Sequence, residues 1–319
     1  LKIVAFGGGT GLSTLLRGLK KFEKVEITAV VTVMDDGGSS GIMREEFGIL
    51  PPGDIRNNIV ALAQDESLMA QIMAYRFQEG TRFKDQSLGN LIIAALTKIN
   101  GSFPAAIENI SSILAIKGKV LPVTEESVQL VAHMSDGSVI TGESNITKRN
   151  GKINEIGLNK PAKPFPKVIE EISKSDVVII GPGSLFTSII PNLLVDSIPE
   201  ILKEKPKILI ANLMTQPGET TGMDAEDHLK IVEKYLKSEV DKVIVNSQSI
   251  PKDVLERYEK EGSKQVLCKI ENPKFVRFPM VKIVTDKIDG QRKIRHDPDK
   301  LAKAVIKTIE LITGDKVGI

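Results

Sequence analysis

The chain has 319 residues, 41% hydrophobic and 26% charged, enough to bury the core of one large α/β domain. A net charge of +2 carries no nucleic-acid footprint, and the single cysteine, Cys268, excludes an internal disulfide and a cysteine-based zinc cluster. No apolar run approaches the roughly eighteen residues of a membrane span, so membrane insertion is not expected. The N-terminal apolar run suits a core strand rather than a signal peptide, which predicts a cytoplasmic protein. Low aromatic content, 4% with no Trp, beside abundant Lys, Glu and Ile is a thermophile-like composition.

The first apolar run, 3–6, breaks into Gly7, Gly8, Gly9 and Gly11 and resumes as a helical pattern over 12–20. Glycines between a strand and a helix let backbone approach a ligand, and the first helical N–H groups carry the positive end of the dipole. A phosphate on Gly8, Gly9, Thr10 and Gly11 is the leading expectation; a tight turn with no ligand is the alternative. The spacing is not the dinucleotide fingerprint, since Leu12 stands where a third glycine belongs, and no Gly-Lys-Ser/Thr follows as in a Walker loop.

A second strand, 26–33, runs into "MDDGGSSG". Asp35 and Asp36 at a strand end suit a ribose hydroxyl. Asp36 with Asp54 would suit Mg²⁺ instead, while Asp54 could simply cap the helix predicted over 55–64. "SLGN" opens a helix over 88–98, where Ser87 or Asn90 is a cap or a ligand contact, and a further helix follows over 103–115. Between 119 and 158 the pattern changes to period two around Asp136-Gly137, with a further turn signal at Asn150-Gly151. That predicts a small antiparallel hairpin insertion, 119–158, within a nucleotide-binding domain made of 1–118 and 159–319. The insertion is a candidate surface for a homodimer. "LNKPAKPFPK" reads as a stiff connector back to the main sheet.

The strand at 177–180 repeats the physics of the opening loop with Gly181, Gly183, Ser184, Thr187 and Ser188. Two such loops suit a ligand with two phosphates. Leu185 and Phe186 follow Ser184, so this is not a hydrolase elbow. A strand over 207–212 ends in Asn212 before a Gln-Pro-Gly-Glu turn whose polar groups could read a base or sugar. Strands over 242–245 and 281–285 and helices over 225–237, 251–261 and 299–311 complete a doubly wound, mostly parallel sheet, with ligands expected beyond its carboxyl ends. His133, His228 and His296 read as surface or satisfied residues. Without a Ser-His-Asp, Cys-His or metal-histidine set, covalent hydrolysis is not indicated.

Six segments, "GGGTG", "MDDGGSSG", "PPGDIRN", "LGN", "GPGSLFTS" and "NLMTQPGET", stand in one order along the chain. Together they resemble the gluconeogenesis factor family, bacterial YvcK-type, CofD-like proteins related to the 2-phospho-L-lactate transferases. The resemblance implies a Rossmann-like fold and a site for a nucleotide sugar, UDP-N-acetylglucosamine above all. It also implies a role in growth and cell shape on gluconeogenic carbon sources, as a regulator without turnover. By motif, Tyr258 of "RYEKEG" and Arg295 of "IRHD" match sugar-nucleotide positions. Asp36 and Asp54 fall where the transferase branch places metal-linked acids, so Mg²⁺ is the candidate cofactor and a phospholactyl or phosphoryl transferase the alternative reading. A nicotinamide dinucleotide binder is a third reading, against which the missing third glycine counts.

Overall fold

The computed structural model describes residues 1–64, 68–80, 82–149, 151–286 and 290–314. The chain lays down β1 (Lys2–Gly7), β2 (Glu26–Val31) and β3 (Lys119–Pro122), then three strands of a separate sheet, β4 (Leu130–Met134), β5 (Val139–Thr141) and β6 (Ile153–Leu158). It returns with β7 (Val177–Ile180), β8 (Lys207–Ile210), β9 (Lys242–Asn246) and β10 (Phe275–Phe278), and adds a two-stranded ribbon, β11 (Val281–Thr285) and β12 (Arg292–His296).

Alternation along the central strands explains why the sheet is covered on both faces. Ile3, Ala5, Val177, Ile179, Ile208 and Ile210 enter one core beneath α1 (Thr10–Leu19), α3 (Gly53–Leu62) and the helix Pro298–Thr313. Val4, Phe6, Val178, Ile180 and Leu209 enter the other, beneath the helices Pro166–Lys174 and Ala225–Leu236. The hairpin sheet, in order β5-β4-β6, packs into that second core through Leu130, Ala132, Met134, Ile153 and Ile156. It therefore covers a face of the molecule rather than projecting as an arm.

Every neighbouring pair in the seven-stranded sheet is parallel, in the order β3-β2-β1-β7-β8-β9-β10. The order reverses direction between β1 and β7, and an open parallel sheet offers its ligand crevice at the carboxyl ends of such a pair. Both glycine loops leave from those two ends. Among the described residues no helix is long and apolar enough to cross a membrane.

Four segments differ from the sequence expectation. Lys119–Pro122 was expected in the hairpin insertion, yet β3 pairs parallel with β2 at the edge of the central sheet. Its Val120 and Leu121 enter opposite cores, and period two does not distinguish a parallel edge strand from a hairpin strand. Residues 281–285 were expected in the main sheet; they pair antiparallel with β12, and β10 supplies the main-sheet edge instead. Only Val281 of β11 is buried, so that strand lacks the two covered faces of a parallel one. The stretch after Asp36, expected as a permissive loop, winds into α2 (Gly38–Phe47) and stops at Gly48, φ 61°. The proline-rich connector passes into the helix Pro166–Lys174, with proline in its first turn, where a missing N–H costs nothing. Asn150 of the predicted Asn-Gly turn lies outside the described residues.

Candidate functional site: a cleft between two glycine loops

The loop after β1 and the loop after β7 touch through backbone. A side chain at Gly11 would overlap the Pro182 carbonyl, so only glycine lets the first loop lie this close to the second. The first loop is gripped by its carbonyls. Asn58, fully buried on α3, donates from Nδ2 to the Gly8 carbonyl at 2.8 Å, and buried Asn192 donates to the Gly7 carbonyl at 3.1 Å. Among the described residues the Gly8 and Gly9 N–H groups make no hydrogen bond, which leaves donors free at the head of α1. The second loop is gripped by a donor. Its Gly183 N–H gives a 3.3 Å bond to Asn212 Oδ1, and its Ser184 Oγ accepts from Gln216 Nε2 at 2.8 Å.

Acidic side chains crowd the first loop. A Cβ at Gly9 would overlap the Asp54 carboxylate, and one at Gly8 would meet Ser188 Oγ at 2.6 Å and Asp54 Oδ2 at 2.8 Å. Burial, then the charges of Asp35 and Glu143, push Asp54 up to about 7. Glu143, from the segment between β5 and β6, is likewise pushed up to about 7, by burial first and then by Asp35. Asp54 lies in the first turn of α3 behind Pro52, not at the capping position. Asp36 is engaged elsewhere: its two oxygens accept the N–H groups of Glu143 and Ser144 at 3.1 and 2.8 Å. The acid that faces Asp54 is thus Asp35 rather than Asp36. Among the described residues no group of three or more His, Cys, Asp or Glu is arranged to hold a metal ion.

The far wall comes from β12 of the ribbon and from the helix after β9, Lys252–Lys260. A cleft of about 430 Å³ is lined by Thr10, Gly11, Gly183, Ser184 and Asn212 together with Tyr258, Arg295 and His296. Tyr258 Oη accepts the Ile294 N–H at 3.0 Å, tying the helix to β12 one residue before Arg295. Asp297, the nearest acid in sequence to Arg295, instead caps the helix Pro298–Thr313. Among the described residues Arg295 forms no ion pair, and its guanidinium makes one hydrogen bond, at 3.3 Å, to the adjacent Ile294 carbonyl. Its guanidinium fork is therefore available to an anion or a base.

The family model described as 2-phospho-L-lactate transferase CofD matches residues 3–308. The chain belongs to the CofD family. A Bacillus subtilis protein named gluconeogenesis factor is 45% identical, with 97% of this chain and 98% of that one covered. A Thermotoga maritima relative is 54% identical over 96% of this chain and 98% of its own length. The fold agrees with a crystal structure of a UPF0052-family protein from Bacillus halodurans, TM-score 0.88 at 42% identity, covering 96% of this chain and 99% of that one.

Of the residues singled out from sequence in this family member, Thr10, Gly11, Gly183, Ser184, Asn212, Tyr258 and Arg295 line the cleft, Gly8, Gly9, Asp35, Asp36, Asp54 and Gly181 lie outside its lining, and Asn90 and Thr187 are committed to other networks. Asn90 is buried and donates to Ser39 Oγ at 3.2 Å, in a network where Arg56 also reaches Ser87. Thr187 is buried and donates to Glu219 Oε1 at 3.3 Å, behind the second loop. Gly181, with φ +83°, turns the chain out of β7. Sequence reasoning passed over Asn58, Asn192 and Glu143. The two asparagines sit inside helical patterns and carry no motif of their own; Glu143 reaches the site only because the hairpin sheet folds back onto the main one. His296, read as a surface or satisfied residue, lines the cleft with Nε2 lacking a hydrogen bond among the described residues, and burial pushes it down to about 4. Its adjacency to Arg295 was the available signal.

Proposed function

We propose that this chain is a regulatory gluconeogenesis factor that binds a nucleotide diphosphate sugar, UDP-N-acetylglucosamine by preference, between its two glycine loops. The observation that carries the reading is the single cleft shared by Gly11, Gly183 and Ser184 with Tyr258 and Arg295, residues drawn from the two ends and the middle of the chain. Free N–H donors on the first loop suit one phosphate, and the second loop with Arg295 suits the other and the base. Calorimetry with UDP-N-acetylglucosamine tests it: Arg295→Ala should weaken binding by about 1.5–3 kcal/mol, the scale of a charge-assisted hydrogen bond, with the fold intact. Wild-type affinity in that variant, or no binding by the wild type, would overturn it.

A Mg²⁺-dependent transfer reaction is the second reading, favoured by the repelling carboxyls at the first loop. Asp35 and Asp54 offer the hard oxygen donors such a cation takes, beside the backbone where a phosphate would lie. When bound, the cation would supply charge neutralisation at phosphate oxygens. Binding of the UDP sugar that depends strictly on Mg²⁺, followed by loss of the sugar nucleotide over time, would favour this reading over the regulatory one.

A further inference from the structure

Behind the second glycine loop lies a larger basin, about 1150 Å³, between the hairpin sheet and the helix Ala225–Leu236. It meets the nucleotide cleft only at the turn carrying Pro217 and at Glu261. Four lysines reach it from three elements: Lys152 before β6, Lys230 and Lys234 one turn apart on the helix, and Lys260 at the end of the helix Lys252–Lys260. Among the described residues none of these four forms an ion pair. Like charges one helical turn apart repel, so the pair at 230 and 234 gains from an anion between them. Lys234 also lies over the Tyr235 ring, 5.5 Å from its centroid. The acids at the rim are engaged: Asp227 accepts the Asp224 N–H in a capping box, and Glu261 lies 3.9 Å from Arg257.

The floor is apolar, from Ile153, Phe186 and Met223. One polar group is built into it. Glu219 is 2% exposed; its Oε1 takes the Thr187 hydroxyl, while Oε2 is buried without a hydrogen bond among the described residues. A buried carboxyl oxygen left unpaired is costly, so it is expected to have a partner in the working protein.

We propose that the basin is a second binding site, for a small amphipathic anion whose acidic group is held by the lysines and whose apolar body carries a hydroxyl or N–H donor to Glu219. Burial pushes Glu219 up to about 7, so the ligand does not have to face a full negative charge there. The site is independent of nucleotide, and its test omits nucleotide.

The probe is 8-anilinonaphthalene-1-sulfonate, which carries a sulfonate, an aromatic body and an N–H. Fluorescence titration of the full chain should show saturable binding that weakens roughly tenfold in Lys230→Glu/Lys234→Glu, because two charge contacts reverse sign. The control pair Lys303→Glu/Lys307→Glu has the same spacing and the same change in net charge on the exposed side of the helix Pro298–Thr313, and should leave affinity unchanged. Equal weakening in both pairs, no weakening in the first, or equal binding of the uncharged parent N-phenyl-1-naphthylamine would overturn the proposal. Should the first pair fail to fold, the wild type decides: binding of the sulfonate must fall as salt is raised, while binding of the uncharged parent must not.

Discussion

The two glycine loops share a strand, a run of small residues and a helix, but they are held in opposite senses. Asn58 and Asn192 hold the first by donating to its carbonyls, which leaves its N–H groups free. Asn212 holds the second by accepting from its Gly183 N–H. Their acids differ too. Asp54 abuts the first loop's backbone, whereas Glu219 stands behind Thr187 and faces the other basin. Loops that look interchangeable in sequence thus divide the work: the first presents donors beside a carboxyl that titrates near neutrality, and the second presents a hydroxyl-rich, already bonded edge.

The contact between the loops is the most sensitive point. Gly11→Val should destabilise the fold by about 3 kcal/mol or more, because its side chain meets Pro182 backbone that cannot rotate away. Thermal or urea unfolding measures this, and a variant as stable as wild type would show that the loops separate freely. Next comes the difference in grip. Asn58→Ala leaves the Gly8 and Asp54 carbonyls without their buried donor and should cost about 2 kcal/mol, whereas Asn212→Ala, at a partly exposed site, should cost less than about 1 kcal/mol. Equal losses in urea melts would remove the distinction.

Titration reports on the carboxyl at the first loop. Asp54 is raised to about 7 in the folded chain, so above its ordinary value the folded state holds a proton that the unfolded chain has released. The stability this proton represents is present below about pH 4 and is lost as pH rises through 7, by up to about 1.4 kcal/mol per pH unit. Asp54→Asn should make the fall in stability between pH 5 and 7 shallower, Glu143 and Glu219 keeping their share of it, as followed by chemical denaturation across that range; an unchanged slope would show that Asp54 is not among the titrating groups. A comparably small effect is expected at the far wall of the cleft. Tyr258→Phe removes the acceptor of the Ile294 N–H and should cost about 0.5–1.5 kcal/mol, with faster amide exchange at Ile294 while the ring's packing persists.

Local chemistry made much of this chain legible. The glycine runs after two apolar strands marked both loops, and the amphipathic repeats located α1, α3 and the helices Leu88–Asn100, Phe103–Ile113, Ala225–Leu236 and Pro298–Thr313 to within a few residues. Those signals are carried by residues near one another in the chain: a strand's alternation, a helix's 3.6-residue period and a turn's glycines. Tertiary structure alone decided which strands are neighbours. It sent Val281–Thr285 out of the main sheet into a ribbon that carries Arg295 to the cleft, exchanged Asp36 for Asp35 beside Asp54, and folded Glu143 of the hairpin segment against both. The reason is physical. Pairing of strands and repulsion of charges depend on distances in space, and a period-two pattern is the same on an edge strand, a buried strand or a ribbon until the cores on either side have been filled.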